Sequence, residues 1–306
     1  MKFKYGPNFQ YVNYDQEVII DKTKIVKEIS IIDDIIIVNQ KKLKFYSNTC
    51  DHNFGKLLKV GQENFFRCPM HGWKFDPLSG FYDNGVKKNQ LEYSELANDK
   101  ISLKIEKKYI KRLSSKENSK EKIIVNFINH ACIVIEYKNI KVAIDPWVKG
   151  TCFLGGWESI KDLTNDEFDL LNSCDYFFIS HSHSDHCNFE NLKTFSKDKK
   201  IIIPHFLDFN FSDYIKTGLD YDAEIHEIEI GKRLSILPDM FFSFLKSGDF
   251  RNDTGFLIEI NSKNILSAID SNNLNSGVTP EKVDIYLSKF ASGASGFPVS
   301  FIDYDR

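Results

Sequence analysis

Cys50-Asp51-His52, fifteen residues, then Cys68-Pro69-Met70-His71-Gly72-Trp73 is the stretch from which the rest of the sequence is best read. Each half pairs one thiol with one imidazole, as Cys-x-His and Cys-x-x-His. Such pairs sit at the tips of two loops that clamp one metal group between them. A zinc finger normally pairs Cys with Cys and His with His. Mixed pairs instead suit a [2Fe-2S] cluster in which thiolates hold one iron and neutral imidazoles the other. Imidazole ligands raise the reduction potential above that of an all-cysteine cluster, which suits delivery of electrons to oxygen chemistry. Cys50, His52, Cys68 and His71 are therefore the expected cluster ligands.

Around this stretch, residues 5–109 alternate short β-branched and aromatic runs, such as Glu17-Val18-Ile19-Ile20 and Ile35-Ile36-Ile37-Val38, with charged and turn residues. That pattern predicts a small all-β unit. Residues 111–120 are polar and charged, without periodicity, and place a boundary that divides the chain into domains 1–115 and 116–306. Past it, Ile123-Ile124-Val125-Asn126-Phe127, Ile133-Val134-Ile135-Glu136-Tyr137 and Lys141-Val142-Ala143-Ile144 read as strands, with a tight turn at Lys138-Asn139. Strands are predicted over 176–180, 201–203, 225–237, 254–260 and 264–269, with helices over 188–196 and 213–217. Strand groups with intervening helices make a layered α/β domain.

A second chemical signal follows the strand over 176–180: His181-Ser182-His183-Ser184-Asp185-His186. Three of the chain's 8 histidines and a carboxylate converge within six residues, a donor set for iron, zinc or manganese. A core histidine needs one partner and gains nothing from such neighbours. Asp270 closes the run Leu266-Ser267-Ala268-Ile269 at a strand end, where an aspartate is as often a turn residue as a ligand.

Composition sets the frame. The 306 residues, 42% hydrophobic and 27% charged, suffice for two domains with their own cores. The 6 cysteines read as two metal ligands and four free buried thiols, so a reducing, cytoplasmic location is expected. No apolar run reaches the length of a membrane span, and no nucleic-acid partner is expected. Residues 1–115 carry 20 Lys and Arg against 14 Asp and Glu; residues 116–306 carry 20 against 29. A basic first half would attract an acidic electron donor; equally, two halves of opposite charge would attract each other.

The segment Cys68-Pro69-Met70-His71-Gly72-Trp73-Lys74-Phe75-Asp76, with Ser79-Gly80, resembles the Rieske domains of oxygenases and their ferredoxins. His181-Ser182-His183-Ser184-Asp185-His186 matches the His-x-His-x-Asp-His signature of the metallo-β-lactamase superfamily. The resemblance implies a multidomain chain, an all-β Rieske domain followed by an αββα sandwich. It also implies that His181 and His183 bind one metal, Asp185 and His186 a second, and that Asp270 bridges them. The family's third histidine is missing from Lys246-Ser247-Gly248-Asp249-Phe250. Asp249 is the expected substitute, giving two histidines and one carboxylate, the facial set of oxygen-activating iron; His205 and His226 are outside candidates.

Four further strings resemble the CMP-N-acetylneuraminate hydroxylases: Asn129-His130-Ala131-Cys132, Asp145-Pro146-Trp147 with Gly155-Gly156-Trp157, the histidine-rich run, and Phe290-Ala291-Ser292-Gly293-Ala294-Ser295-Gly296-Phe297-Pro298. That family inserts one oxygen atom of O2 into the N-acetyl methyl group of a nucleotide-linked sialic acid. The resemblance implies a Rieske-dependent monooxygenase with a second metal site, iron favoured over zinc or manganese. Its partners would be a small acidic donor protein, ferredoxin- or cytochrome b5-like, with its reductase, and a small polar substrate such as a nucleotide sugar. His181, His183, Asp185, His186 and Asp249 are its expected catalytic residues. Members of that family continue well past the point matching Arg306, so a shortened second domain is expected. The competing reading is a metal-dependent hydrolase of a phosphoester or lactone, with the Rieske domain as a redox sensor.

Overall fold

The computed structural model describes residues 4–52, 54–112, 120–159, 161–248, 250–271, 274 and 279–288. In the first half, Tyr11–Asp21 pairs antiparallel with Lys100–Ile110 along its whole length, and Tyr93–Leu96 extends that sheet. Along Lys100–Ile110, Ile101, Leu103 and Ile105 are buried while Lys100, Lys104 and Glu106 are exposed, the period of two that a one-sided core imposes. They pack on Ile35, Ile37 and Phe45 of a second antiparallel sheet, Ile29–Ile32, Ile35–Asn39 and Leu43–Ser47. The middle strand is buried on both faces, because Ile36 and Val38 turn the other way, toward Tyr46, Phe66 and Phe75. A third sheet of short strands, Leu58–Lys59, Phe66–Arg67, Lys74–Asp76 and Phe81–Tyr82, carries the loop of Cys68 and His71, and the loop of Cys50 and His52 leads into it from Leu43–Ser47.

The second half stacks two six-stranded sheets. One runs Ile123–Asn129, Cys132–Tyr137, Ile140–Ile144, Tyr176–Phe178, Lys200–His205, Glu224–Glu229, its last four strands parallel. The other runs Lys4–Tyr5, Leu234–Leu237, Met240–Lys246, Thr254–Ile260, Lys263–Ser267, Ile285–Leu287. Between them, Phe178 meets Phe242 at 3.8 Å between ring centroids, and Phe242 stacks on Phe256 at 5.8 Å. Each such ring, fully buried, contributes about 1.5–3 kcal/mol. The helices Asn165–Asn172 and Phe189–Phe195 bring Leu171 and Phe195 against the other face of the first sheet, at Val134, Ala143 and Phe177. Met240–Lys246 and Thr254–Ile260 are buried at every residue. Phe242, Phe244, Phe256 and Ile258 face the inner core, and Leu245, Leu257 and Leu266 face outward to Ile110, Phe9 and Phe54.

The two halves are joined at several points. Lys4–Tyr5 adds an edge strand to the second sheet (Lys4 opposite Ser235), so residues of the first half complete a sheet that the second half builds. Arg233, buried, donates to Glu259 at 2.8 Å and to the Pro7 carbonyl at 2.9 Å. The Ile110 N–H donates to the Thr279 carbonyl at 2.9 Å, Tyr14 to Glu281 at 2.7 Å and Arg112 to Asp284 at 2.7 Å. Residues 113–119, which contain the expected boundary, lie outside the described residues, as do the expected ligand Asp249 and the run 290–298.

Candidate functional site

The cysteine and histidine pairs are placed by tight loops. The Cys50 N–H donates to the Gly55 carbonyl at 2.7 Å, and the Cys68 N–H to the Trp73 carbonyl at 2.8 Å. Both cysteines are buried and neither forms a disulfide. Their mutual hydrogen bond and burial raise the Cys68 thiol far above its ordinary pKa. The His52 and His71 rings lie 4.8 Å apart. His71 Nδ1 is buried without a hydrogen-bond partner, and a buried polar nitrogen in that state calls for a ligand. Burial, then the neighbouring His52, pushes the His71 pKa down, keeping the ring neutral as a ligand must be. All four residues fit a [2Fe-2S] cluster with two thiolates and two imidazoles.

The two histidines face different surroundings. His52 is exposed and stacks on Trp73 at 4.6 Å and 14°. His71 turns its Nε2 toward the second half, 3.5 Å from Glu229 Oε1. Next to it, Arg67 lies 3.7 Å from Asp208 and over the Phe250 ring.

The second cluster of donors lies at one end of the two-sheet stack, where the loops beyond the parallel strands gather, the usual ligand end of such sheets. The segment following Tyr176–Phe178 carries His181, His183, Asp185 and His186. The turn of His130 and Ala131 between Ile123–Asn129 and Cys132–Tyr137 brings His130, and the end of Lys263–Ser267 brings Asp270. Two sets of three result, His181 with His183 and Asp270, and His130 with Asp185 and His186, with the ligand atoms of each within 4.8 Å of one another. Asp270 Oδ2 lies 3.8 Å from His181 Nε2 and 3.4 Å from His186 Nε2, between the two sets. His186 Nε2 and Asp185 Oδ1 are buried without hydrogen-bond partners. These polar atoms and surplus negative charge suit one or two divalent cations.

Asp145, fully buried, organises the imidazoles from behind. Its Oδ2 accepts from Ser180 Oγ at 2.6 Å and lies 2.9 Å from His186 Nδ1, and Ser180 Oγ lies 2.9 Å from His181 Nδ1. Both rings therefore present Nε2 to the site, the outer carboxylate arrangement that metal-binding histidines favour. Burial, then the charges of His186 and His183, lowers the His181 pKa to about 3. For His186 burial is outweighed by the charge and hydrogen bond of Asp145, which raise its pKa well above the ordinary value. Burial of Asp185 is likewise outweighed by its hydrogen bond with His130, 2.9 Å away, and by His186, so the carboxyl stays ionised. A cleft of about 580 Å³ opens beside these donors, lined by His130, Asp185 and Asp270 and by Phe127, Trp157 and Tyr286.

The structure thus brings His181, His183, Asp185, His186 and Asp270 to one place. It adds His130 and Asp145, which the sequence reading used only as parts of matching strings. His130 takes a positive φ of 49° in its turn, and nothing local marks it as a donor. The outside candidates lie elsewhere, His205 paired with Glu227 at 3.0 Å and His226 with Glu224 at 2.8 Å.

Residues 8–94 match the Rieske [2Fe-2S] domain family, and residues 124–266 match the beta-lactamase superfamily domain family. The cytidine monophosphate-N-acetylneuraminic acid hydroxylase of Asterias rubens is 31% identical over 268 residues, 83% of this chain and 41% of that protein. That of Mus musculus is 27% identical over 282 residues, 87% of this chain and 48% of that protein. The chain spans less than half the length of these two relatives. Among solved structures, CmlA, a diiron beta-hydroxylase from Streptomyces venezuelae, is similar at 22% identity and a TM-score of 0.39, over 51% of this chain and 31% of that chain. An isothiocyanate hydrolase from Delia radicum gut bacteria is similar at 16% identity and a TM-score of 0.37, over 48% of this chain and 62% of that chain. The chain is a Rieske [2Fe-2S] domain joined to a beta-lactamase superfamily domain, similar over most of its length to the CMP-N-acetylneuraminic acid hydroxylases.

Proposed function

We propose that this chain supplies the electron-transfer and oxygen-activating centres of a hydroxylase acting on a nucleotide sugar such as CMP-N-acetylneuraminate. One observation carries the reading: the His71 edge of the cluster loops is seated on the second domain, 3.5 Å from Glu229, in a chain whose second domain gathers six metal donors beside an open cleft. The names of the relatives support the substrate class. We assign Cys50, His52, Cys68 and His71 to the cluster. His181, His183, Asp185, His186, Asp270 and His130 hold the second site, with iron as its metal, and the domains divide near residue 115.

The overall reaction replaces a C–H bond with C–OH, the second oxygen atom leaves as water, and two electrons and two protons are consumed. When bound, the cluster supplies electrons one at a time and the iron of the second site supplies oxygen activation. The chain's own residues divide the remaining work. Asp145 fixes His186 directly and His181 through Ser180, with Nε2 of each toward the site. Phe127, Trp157 and Tyr286 give the cleft an apolar, aromatic wall. Exposed His52, on its Trp73 platform, leaves one edge open to a donor, for which a small acidic protein of the ferredoxin or cytochrome b5 kind suits the basic first half. None of the six cysteines forms a disulfide, which suits a cytoplasmic setting.

The test is metal content and single turnover. Anaerobically purified chain, reduced and mixed with CMP-N-acetylneuraminate and labelled O2, should hold more than the cluster's two irons, give a Rieske EPR signal, and yield a product carrying one labelled oxygen atom. Two irons with zinc, and cleavage of a phosphoester or lactone without any reductant, would replace this reading with a hydrolase.

A further inference from the structure

We infer that Asp253 is the carboxylate that completes the metal position of His181 and His183, in the place where the superfamily pattern puts a third histidine. The inference rests on the metal-binding reading above and extends it to a residue outside both three-donor sets.

Asp253 is 3% exposed, and a carboxylate so deeply buried is held among charged and hydrogen-bonding groups. Its two oxygens face different ways. Oδ2 lies 3.5 Å from the Arg251 guanidinium, and Oδ1 lies 3.9 Å from His181 Nε2. That second distance is too long for a hydrogen bond. It suits two donors each about 2.0–2.2 Å from one shared ion. Asp270 Oδ2 stands in the same relation to His181 Nε2, at 3.8 Å. Two carboxylate oxygens thus flank one imidazole nitrogen at similar range, with His183 Nδ1 as the fourth donor, 2.9 Å from His181 Nε2.

Backbone contacts on both sides hold Asp253 there. The Ser247 N–H donates to the Asp253 carbonyl at 3.0 Å, and Lys246 Nζ donates to the Arg251 carbonyl, closing the loop between Met240–Lys246 and Thr254–Ile260. Thr254 Oγ1 donates to the Ser180 carbonyl at 2.8 Å, which ties the residue after Asp253 to the residue before His181. This is the loop in which the sequence pattern leaves a ligand missing. The set becomes two histidines and two carboxylates, oxygen-rich and better suited to iron or manganese than a three-histidine site.

The experiment uses Co²⁺ as the probe, added to the full chain with its cluster in place, and reads both the number of ions bound and the visible d–d spectrum. Asp253→Asn should weaken one cobalt position by more than the roughly 10- to 100-fold that loss of an outer partner of a ligand costs, and should change the spectrum. Asp253→His, which restores a donor, should bind cobalt with a spectrum shifted by the extra nitrogen. In both variants the Rieske absorbance should persist, which establishes that the first half is folded, and far-UV circular dichroism matching the unaltered chain establishes it for the second. Equal stoichiometry, affinity and spectrum in Asp253→Asn and the unaltered chain would overturn the inference and leave the proposed function standing. Loss of cobalt from both variants, with the Rieske absorbance intact, would mean a structural role and overturns it too. No cobalt bound by the unaltered chain would sink the metal-site reading and this inference together.

Discussion

Asp145 Oδ2 lies 2.9 Å from His186 Nδ1, and the same oxygen accepts a 2.6 Å hydrogen bond from Ser180 Oγ. One buried carboxylate thereby aims two imidazoles that belong to different donor sets. Its backbone takes a φ of 46°, a conformation that costs a non-glycine residue about 1–3 kcal/mol and persists only where the surroundings over-determine it. Here the Asp145 N–H donates to the Phe178 carbonyl at 2.9 Å, and the Ser180 N–H donates to Asp145 Oδ1 at 2.7 Å. The strain is held by the same groups that orient the site.

Replacing Asp145 therefore tests orientation apart from ligation. Asp145→Asn keeps the shape but cannot accept from Ser180 and His186 in the same way, and metal affinity should fall roughly 10- to 100-fold with the fold intact. Asp145→Ala leaves the Ser180 N–H and His186 Nδ1 buried without their carboxylate partner, and should also cost about 3–5 kcal/mol of stability. Metal titration and chemical denaturation of the two variants check this. Unchanged metal affinity in both would remove Asp145 from the site.

Cluster assembly makes a separate demand on Gly55. A Cβ there would come within 2.8 Å of Cys68 Sγ and 3.0 Å of Met70, so Gly55→Ala should lower cluster occupancy as read by Rieske absorbance and iron content. Cys68→Ser and His71→Ala should abolish the Rieske signal outright while leaving the second-site metal in place. A retained cluster in either would refute the ligand assignment.

Much of this architecture was legible in the sequence because its signals are local. The strand Thr254–Ile260 falls where its apolar run places it, the Cys-x-x-His loop joins Phe66–Arg67 to Lys74–Asp76, and the Cys-x-His loop lies between Leu43–Ser47 and Leu58–Lys59. Lys138, at a positive φ of 55°, makes the tight turn expected of Lys138-Asn139. The helix Asn165–Asn172 carries a local signature outside the expected elements, the capping box in which Thr164 and Glu167 satisfy each other's backbone N–H groups. His130, Asp145 and Asp253 were hidden for a different reason. Each reaches the site from a different loop, and only the stacking of the two sheets brings those loops to one end. The pairing of Lys4–Tyr5 with Leu234–Leu237 was equally out of reach, since two exposed residues near the start of a chain carry no periodicity.

The junction of the two halves depends on Arg233. Its pair with Glu259 is buried, with side chains 2% and 4% exposed, and its guanidinium lies 4.0 Å above the Phe241 ring. Removing one partner of a buried pair costs about 3–5 kcal/mol, so Arg233→Ala should unfold markedly earlier in urea. Burial raises the Glu259 pKa despite Arg233. A carboxyl whose folded pKa lies above its unfolded value contributes stability that is fully present below the unfolded pKa and is lost as pH rises through the folded one. Without Arg233 the folded pKa rises further. The stability deficit of Arg233→Ala should therefore be largest near neutral pH and shrink toward pH 4–5, the range of an ordinary glutamate. A pH-independent deficit would show that packing on Phe241, and not charge, explains the loss.

If His71 faces the second domain of its own chain, electron delivery between the two centres is a unimolecular event. The contacts that seat this edge, His71 with Glu229 at 3.5 Å and Arg67 with Asp208 at 3.7 Å, involve partly exposed groups and add little to stability. Their value lies in fixing the approach of two centres that the backbone links at the Lys4–Tyr5 strand and at Ile110. After anaerobic reduction and mixing with O2 and substrate, the rate of cluster reoxidation should not depend on protein concentration. Mixing a cluster-less chain, Cys68→Ser, with a chain that lacks second-site metal, His183→Ala, should restore no turnover, because each intact centre faces a dead one. Recovered turnover in that mixture would mean that electrons pass between chains, and the His71 edge would then have to leave Glu229 to meet its acceptor.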